Sequence, residues 1–450
     1  MASSSPNIVV FFTDQQRWDT VGTYGNPLGL TPNLDRFAGR GTLFEHAFTC
    51  QPVCGPARSA VQTGLYPTTT GCFRNGVPLP ASATTLADHL RAAGYRTGYI
   101  GKWHLAGKEP VPAEQRGGYE YWLAANALEF TSDAYRTVVY NRASEAVHLP
   151  GYRVDALTDA AIRYIADNAG HPFLLFLSFL EPHHQNHRDD YPAPDVYRDA
   201  YHGRWLPPDL ASLGGSAAQH LGGYLGMVKR LDEAFGRILD ALESLRMTDD
   251  TVVLYTCDHG NHFKTRNDEY KRSCHESSIR IPMALGGGPF RSGGRRPELV
   301  SLIDVAPTLL DAAGVGVPEG MQGRSLLPMV QRSLTDWPNE VLIQISESQV
   351  GRAIRTSRWK YSVSAPGLNG YQVMSADEYV EEFLYDLQAD PYELTNLAGL
   401  SSHAELSLRL RRRLLTKMRE AGEPEAVIHP HQPAREGGQR RIWPEEMPLE

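Results

Sequence analysis

The sequence has few cysteines, no long apolar run and no excess of positive charge. Its 450 residues contain five cysteines, an odd number that is too small for a disulfide-stapled scaffold. No stretch reaches the roughly 18 apolar residues of a membrane span. The apolar run at residues 8–12 is also too short for a signal sequence. We therefore expect a cytoplasmic protein without a membrane partner.

The net charge of −8 argues against a nucleic-acid partner, which would require a basic surface. Hydrophobic residues make up 41% of the chain and charged residues 21%, as in globular rather than disordered or fibrous proteins. Any anion that this protein binds must therefore be held by local positive charge.

Four short segments are apolar throughout, which is typical of parallel strands covered on both faces. They are residues 7–13, 96–100, 173–180 and 251–256. Residues 152–168 and 217–246 have helical spacing of apolar residues and lie between these segments. The alternation predicts an α/β fold with a doubly wound, mainly parallel sheet sandwiched by helices.

Polar residues follow each predicted strand at the end where ligands bind in such sheets. These residues are Asp14 and Gln15, Lys102 and His104, His183, and Asp258 and His259. We therefore expect the four strand ends to converge on one site.

The last hundred residues have a different character. Residues 1–349 are predicted to form the large α/β domain and residues 350–450 a smaller α+β subdomain. Short strands at 352–363 and 385–387 indicate an antiparallel sheet, and a capping box at Ser402 and Glu405 opens one helix. The stretch after Gly422 is rich in Pro, Glu and His and predicts an irregular tail.

One cysteine lies in a distinctive segment, CQPVCGPARSAVQTGLY at residues 50–66. Pro56 suits the first position of a helix that runs to Gly64. Cys54 then lies at the helix N-terminus, where backbone N–H groups and the helix dipole favour an anion. A small buried hydrophobe is the alternative for any single cysteine.

The same segment contains Cys54-x-Pro56-x-Arg58, the recognition sequence for conversion of cysteine to formylglycine. Other blocks surround it in order: Asp14-Gln15, TPNLDRFAGRGTLFEHAF (31–48), GKWH (101–104), DHG (258–260), KRSCHESSIRIP (271–282) and FLYDLQADPYELTNLA (383–398). With these blocks the chain resembles the type I formylglycine-dependent sulfatases of the alkaline phosphatase superfamily, from about residue 7 to residue 398. The resemblance implies an alkaline-phosphatase-like fold, a catalytic domain at 1–349 and hydrolysis of a sulfate monoester.

The resemblance also implies a modified nucleophile. Cys54 would be converted to formylglycine by a formylglycine-generating enzyme, the expected partner in maturation. One hydroxyl of the hydrated aldehyde attacks sulfur, and the other allows sulfate to leave as the aldehyde re-forms. Covalent catalysis of this kind splits one difficult step into two easier ones.

The family's divalent metal, expected to be Ca²⁺, helps to deprotonate the nucleophile. Its positions match Asp14, Gln15, Asp258 and His259, together with the side chain at Cys54. Oxygen ligands suit a hard cation, whereas His259 is softer. Gln15 stands where Asp is commoner, which removes one negative charge.

Further catalytic positions match by resemblance. Arg58 would anchor the diol oxygens, although an ion pair on a helix surface is an equal alternative from the sequence alone. Lys102 and His104 would hold sulfate and act as base. Lys271 would bind a sulfate oxygen and assist the leaving group.

The general acid has two candidates. His183 matches the family position, and the near-neutral pKa of histidine suits the role. His184 is its rival because Gln185 replaces the family's proline two residues after the histidine.

Substrate contacts beyond sulfate are predicted for polar residues near these motifs: Arg74, Asn75, His184, His262, Lys264 and Arg266. Many family members carry a second Asp-His-Gly where this chain has Thr265-Arg266-Asn267. The added positive charge favours an anionic carbohydrate sulfate, small or oligomeric, as substrate. Ordinary loop surface is the alternative for Lys264 and Arg266.

Two other functions stay open. A phosphodiester or phosphonate monoester hydrolase of the same superfamily shares the Asp-Gln pair, although Lys102 and His104 favour sulfate. A non-catalytic binding protein is expected if Cys54 is unmodified.

Overall fold

A mixed sheet of eleven strands divides the larger part of the molecule into two layers. In the computed structural model, residues 5–331 and 336–432 are described, so part of the predicted tail, residues 433–450, lies outside them. The strands of the large sheet are β1 (Asn7–Thr13), β2 (Thr42–Phe48), β3 (Arg96–Lys102), β4 (Tyr121–Ala125), β5 (Thr137–Tyr140), β6 (Ala146–Leu149), β7 (Phe173–Ser178), β8 (Thr251–Cys257), β9 (Arg280–Ile281), β10 (Met283–Gly286) and β11 (Gly294–Ser301).

The strand order is β11-β2-β10-β8-β1-β7-β3-β4-β5-β6, with β9 paired to β2. The five central strands, from β8 to β4, are parallel to one another. The predicted α/β fold with a mainly parallel sheet is thus confirmed. Antiparallel pairing is confined to β10 and to the outer strands β5, β6 and β9.

Helices cover both faces of this sheet. The helices of the described residues are α1 (Pro32–Arg40), α2 (Cys54–Thr63), α3 (Pro67–Thr70), α4 (Leu86–Ala92), α5 (Leu128–Thr131), α6 (Arg153–Asp167), α7 (Asp195–Tyr201), α8 (Pro208–Ser212), α9 (Ala217–Ser244), α10 (Glu276–Ile279), α11 (Val305–Ala312), α12 (Leu327–Val330) and α13 (Ala404–Glu420). Within the described ranges, no helix combines the length and apolarity needed to cross a membrane.

The alternation of side chains along β1 shows how the two layers are separated. Ile8, Val10 and Phe12 pack in one core with α2, α4 and α11, and Val9 and Phe11 pack in the other with α1, α6 and α9. Successive residues of a strand point to opposite faces, so a strand buried on both sides must be apolar throughout.

A second sheet of five strands follows. Its strands are β12 (Glu340–Ile345), β13 (Gly351–Thr356), β14 (Trp359–Ser364), β15 (Glu378–Asp386) and β16 (Val427–His429), in that order. All pairs are antiparallel except β15 and β16. Helix α13 buries an apolar stripe against this sheet. Strand β12 precedes residue 350, so the small sheet starts before the predicted domain boundary.

The two sheets share a buried junction. Phe48 and Ile279 of the large part pack against Ile343 and Ala353 of the small sheet. Next to them, the buried Lys360 ammonium on β14 lies 2.8 Å from a carboxylate oxygen of Glu276 and also pairs with Glu393. The small sheet therefore packs directly on the chain segment that follows Lys271.

Strand β3 approaches β7 most closely at Gly101, which has a φ of 106°. A Cβ atom built there would overlap the carbonyl oxygen of Ser178. Only glycine combines this backbone conformation with so close an approach at little cost. The approach also brings the Lys102 carbonyl to the Ser178 hydroxyl, 2.8 Å away.

We expect Gly101→Ala to destabilise the protein by about 3 kcal/mol or more, because strain at positive φ and a backbone clash act together. Gly94→Ala is the matched control, since Gly94 also has a positive φ but faces open space. That control should cost only about 1–2 kcal/mol. Urea unfolding measures both changes, and equal losses would show that the contact with Ser178 is unimportant.

Candidate active site

The four predicted strand ends meet at one edge of the large sheet. Asp14 follows β1, Lys102 ends β3 and Asp258 follows β8, and β7 ends between β1 and β3. Because these strands are neighbours and parallel, their carboxyl ends lie side by side. The predicted convergence of the strand ends is therefore found in the structure.

Cys54 lies above this edge as the first residue of α2. Pro56 occupies the third helical position rather than the predicted first, and Cys54 is still at the helix N-terminus. The thiol sulfur is 2.8 Å from Lys271 Nζ and 3.2 Å from His259 Nε2. Burial raises the pKa of this thiol, but the charges of Lys102 and Lys271 outweigh burial and lower it well below its usual range. The site thus stabilises negative charge at position 54.

Four potential metal ligands surround the sulfur. One ligand atom from each of Asp14, Cys54, Asp258 and His259 lies within 4.8 Å of all the others. Burial and the neighbouring Asp14 raise the pKa of Asp258 to about 6. Two buried carboxylates this close repel each other unless a cation or a proton lies between them.

Gln15 completes this group in an unusual backbone conformation, with a φ of 67°. Its backbone N–H donates to Asp258 Oδ1, and both polar atoms of its buried side-chain amide lack a hydrogen-bond partner. Asp258 Oδ2 also lacks a hydrogen-bond partner, and its neighbour is Arg58 Nη2, an ion-pair contact at 3.5 Å. Buried oxygens without donors, together with paired carboxylates, fit a divalent cation.

Arg58 lies one helical turn after Cys54 and is buried. Its Nη2 is 3.0 Å from Asp14 Oδ2, and its Nη1 donates to the Lys102 carbonyl and the Ser178 hydroxyl. The alternative of an ion pair on a helix surface is therefore wrong. Arg58 joins helix α2 to the ends of three strands.

Lys102 and His104 lie on the other side of Cys54. The buried Lys102 ammonium is 2.8 Å from Asp14 Oδ2 and 2.9 Å from Glu129 Oε1. His104 also helps to lower the pKa of the thiol. His104 has a φ of 62°, in the left-handed region that is sparsely populated outside glycine.

Glu129 is a site residue that the sequence patterns missed. It lies on the one-turn helix α5, four residues beyond the end of β4, rather than directly after a strand. The signal that could have found it is β4, which is the next parallel strand beside β3 and therefore ends at the same edge of the sheet.

His183 lies next to Lys271, whereas His184 lies behind His183. His183 Nε2 lies 3.2 Å from Lys271 Nζ, and its Nδ1 is 2.6 Å from the carbonyl of His184. The His184 ring stacks behind, with its centroid 4.3 Å from that of His183 and 4.4 Å from that of Tyr270. Position thus favours His183 as the residue that faces Cys54, while its role as general acid stays a prediction.

Comparison with known proteins identifies the family. A family model described as Sulfatase matches residues 6–315, more than half of the chain. The chain belongs to the sulfatase family. A second model, N-sulphoglucosamine sulphohydrolase, C-terminal, matches residues 268–420.

Individual relatives agree with this assignment. An ulvan-active sulfatase of Formosa agariphila is 30% identical over 440 residues, which cover 93% of this chain and 82% of the relative. A choline-sulfatase of Rhizobium meliloti is 28% identical over 456 residues, covering 88% of this chain and 83% of the relative. The crystal structure of Bacteroides fragilis yidJ, assigned as a sulfatase, superposes with a TM-score of 0.82 and 26% identity over 93% of this chain and 97% of that one. The protein is a sulfuric ester hydrolase with the fold of the alkaline phosphatase superfamily.

Two predicted substrate residues of this sulfatase lie beside the start of helix α2. Asn75 Oδ1 accepts a hydrogen bond from the backbone N–H of Gly55, directly after Cys54. Arg74 donates to the carbonyl of Asn75 and covers the Phe73 ring. Asn75 is thus next to position 54, whereas the Arg74 contacts found are local.

The predicted substrate residues His262 and Arg266 contact other parts of the protein in the structure. His262 is fully buried, and its Nε2 is 2.9 Å from the carbonyl of Lys271. Arg266 donates to the backbone carbonyls of Tyr392 and Glu393 in the C-terminal part. Both side chains are thus hydrogen-bonded to the protein's own backbone, and their substrate role stays a prediction.

Lys264 lies in a different environment from His262 and Arg266. It forms an ion pair with Asp189 at 3.1 Å and lies over the Tyr270 ring. Its side chain is about one-third exposed and its charge is already paired.

We expect the sulfatase to be stabilised by Ca²⁺ more strongly at pH 7 than at pH 5. Because the pKa of Asp258 is raised to about 6, this carboxyl is mostly protonated at pH 5 and the cation must displace its proton. At 100 times Kd, linkage gives about 2.7 kcal/mol, or several degrees in Tm. Thermal melts of the wild type and of Asp258→Asn, with and without CaCl₂ at both pH values, test this. The variant Asp250→Asn, at an exposed carboxylate, is the control. A shift that is independent of pH, or unchanged in Asp258→Asn, would contradict the assignment.

We expect Arg266→Ala to lower the free energy of unfolding by about 2 kcal/mol, because two hydrogen bonds from a charged group are lost. Its effect on KM should be the same for charged saccharide sulfates and for a neutral aryl sulfate. Lys264→Ala removes a surface ion pair nearby and should cost less than about 1 kcal/mol. A rise in KM confined to charged saccharides would restore the predicted substrate role.

Proposed function

We propose that this sulfatase hydrolyses a carbohydrate sulfate monoester to an alcohol and inorganic sulfate, with formylglycine derived from Cys54 as the nucleophile. The observation that carries the proposal is the environment of Cys54. Two lysines, two histidines and two buried carboxylates surround its thiol: Lys102, Lys271, His104, His259, Asp14 and Asp258. Such a site attracts a small tetrahedral anion and stabilises negative charge on the attacking group.

Each catalytic role is assigned to a residue of this chain. Lys102 and Lys271 neutralise the sulfate oxygens, and Arg58 orients the oxygens of the side chain at position 54. His104 accepts the proton of the side chain at position 54, and His183 donates a proton to the departing alcohol. The hydrated aldehyde supplies one oxygen that displaces the alcohol from sulfur and a second that allows sulfate to leave with the aldehyde re-formed.

Asp14, Gln15, Asp258 and His259 would hold the divalent cation, for which Ca²⁺ is our proposal. When bound, the cation lowers the pKa of the attacking oxygen and balances the two carboxylates. Arg58 and Lys102 share Asp14 with this site, since both donate to Asp14 Oδ2. A formylglycine-generating enzyme is the partner required during maturation.

The carbohydrate part of the proposal is supported by the ulvan-active relative, which is 30% identical. The choline-sulfatase relative makes a small alkyl sulfate the competing substrate. Phosphate and phosphonate monoesters and phosphodiesters test the remaining alternative within the superfamily.

Sulfate release from sugar sulfates, choline sulfate and 4-nitrophenyl sulfate tests this proposal, in protein co-expressed with a formylglycine-generating enzyme. The peptide spanning Cys54 should be lighter by about 18 Da, or unchanged in mass when hydrated. Cys54→Ala should lose at least about 10³-fold in kcat. Cys72→Ala, at another buried free thiol, is the matched control and should stay active.

Two results would contradict the proposal. One is turnover of phosphate or phosphonate esters with no release of sulfate. The other is full sulfatase activity in protein whose Cys54 is entirely unconverted.

A further inference from the structure

Glu129 is held in the active site by contacts of its side chain and of its backbone. Its carboxylate Oε1 lies 2.9 Å from Lys102 Nζ, and its backbone carbonyl accepts a hydrogen bond of 2.7 Å from Gln185 Nε2. Glu129 is 3% exposed. It therefore bridges the end of β3 and the loop that carries His183.

The second carboxylate oxygen of Glu129 is buried and has no hydrogen-bond partner within the described residues. Burial raises the pKa of this group, but Lys102, His104 and His183 outweigh burial and lower it to about 2. The carboxylate is thus ionised at neutral pH. A buried ionised oxygen without a donor is costly, so a bound molecule that supplies a donor is strongly favoured.

The chemistry of that donor follows from what a carboxylate can bind. An ionised carboxylate only accepts hydrogen bonds, and the oxygens of a sulfate ester also only accept them. Oε2 therefore cannot contact the sulfate group favourably. The donors that a carbohydrate sulfate brings are the hydroxyl groups of its alcohol part.

Resting on the proposed function, we propose that Glu129 Oε2 accepts a hydrogen bond from a sugar hydroxyl next to the sulfate ester, and so selects sugar sulfates over esters without such a hydroxyl. Lys102 holds the other oxygen and fixes the direction of the carboxylate. A site built to bind a hydroxyl rejects an analogue that lacks it, because its buried acceptor is left unpaired.

The simpler alternative is that Glu129 only holds Lys102 in place. Loss of that role would lower kcat/KM for all sulfate esters by the same factor. Loss of a hydroxyl contact would lower it only for esters that carry the hydroxyl. The two roles are therefore separated by substrate rather than by total activity.

The test compares wild-type enzyme with Glu129→Gln on a matched set of substrates. The substrates are the sugar monosulfate turned over fastest, its two deoxy analogues that each lack one hydroxyl flanking the sulfated carbon, and 4-nitrophenyl sulfate. We expect one deoxy analogue to lower the wild-type kcat/KM by at least about 10-fold. In Glu129→Gln the same change should be less than about 2-fold. Glu129→Gln should also lose at least about 10-fold more on the sugar sulfate than on 4-nitrophenyl sulfate.

Exposed Glu120→Gln, at the start of β4, controls for loss of a carboxylate in the same region. Equal losses in Glu129→Gln on the sugar and aryl esters would overturn the proposal. Wild-type enzyme that hydrolyses both deoxy analogues as well as the parent sugar would overturn it too, even if the variant fails to fold. Turnover of 4-nitrophenyl sulfate but of no sugar sulfate would overturn this proposal and the carbohydrate assignment. No sulfate release at all by formylglycine-bearing protein would overturn the proposed function itself.

Discussion

The site depends on charge compensation around one buried ammonium group. Lys102 has no exposed surface, and burial alone would lower its pKa. Asp14 and Glu129 contact it from two sides, and their charges keep the lysine protonated. Asp14 also pairs with Arg58, so α2, β1 and β3 are joined through one carboxylate. Removing any one of these charges leaves the others buried without compensation.

Much of this arrangement is predictable from the sequence, because strand ends and apolar runs are local signals. The four segments with apolar runs became neighbouring parallel strands, and Asp14, Lys102 and Asp258 met at one edge as their positions required. Glu129 was not predictable in this way, since it lies on a one-turn helix four residues beyond the end of its strand rather than directly after it. The contacts of Arg266 depend on backbone carbonyls about 126 residues away, which no local pattern reveals.

The C-terminal sheet takes part in shaping the site. Glu347, between β12 and β13, accepts a hydrogen bond from the backbone N–H of Asn75 and pairs with Arg272 at 2.6 Å. One carboxylate thus links the loop beside α2 to the residue after Lys271. Glu347 and Arg272 both have positive φ, at 66° and 69°, which is a cost that the surrounding contacts must offset. Changes in the small sheet can therefore reach both the loop beside Cys54 and the segment carrying Lys271.

The burial of Cys54 restricts when it can be modified. Cys54 is 1% exposed, and it is the first residue of a helix whose ten residues are all buried between the sheet and its neighbours. An enzyme that oxidises this thiol must bind the surrounding segment in an extended, accessible form. On the proposed function, maturation and folding would compete for the same stretch of chain, and a molecule that folds first would keep its thiol. The yield of active protein would accordingly be set by the relative rates of these two processes rather than by the stability of the finished fold.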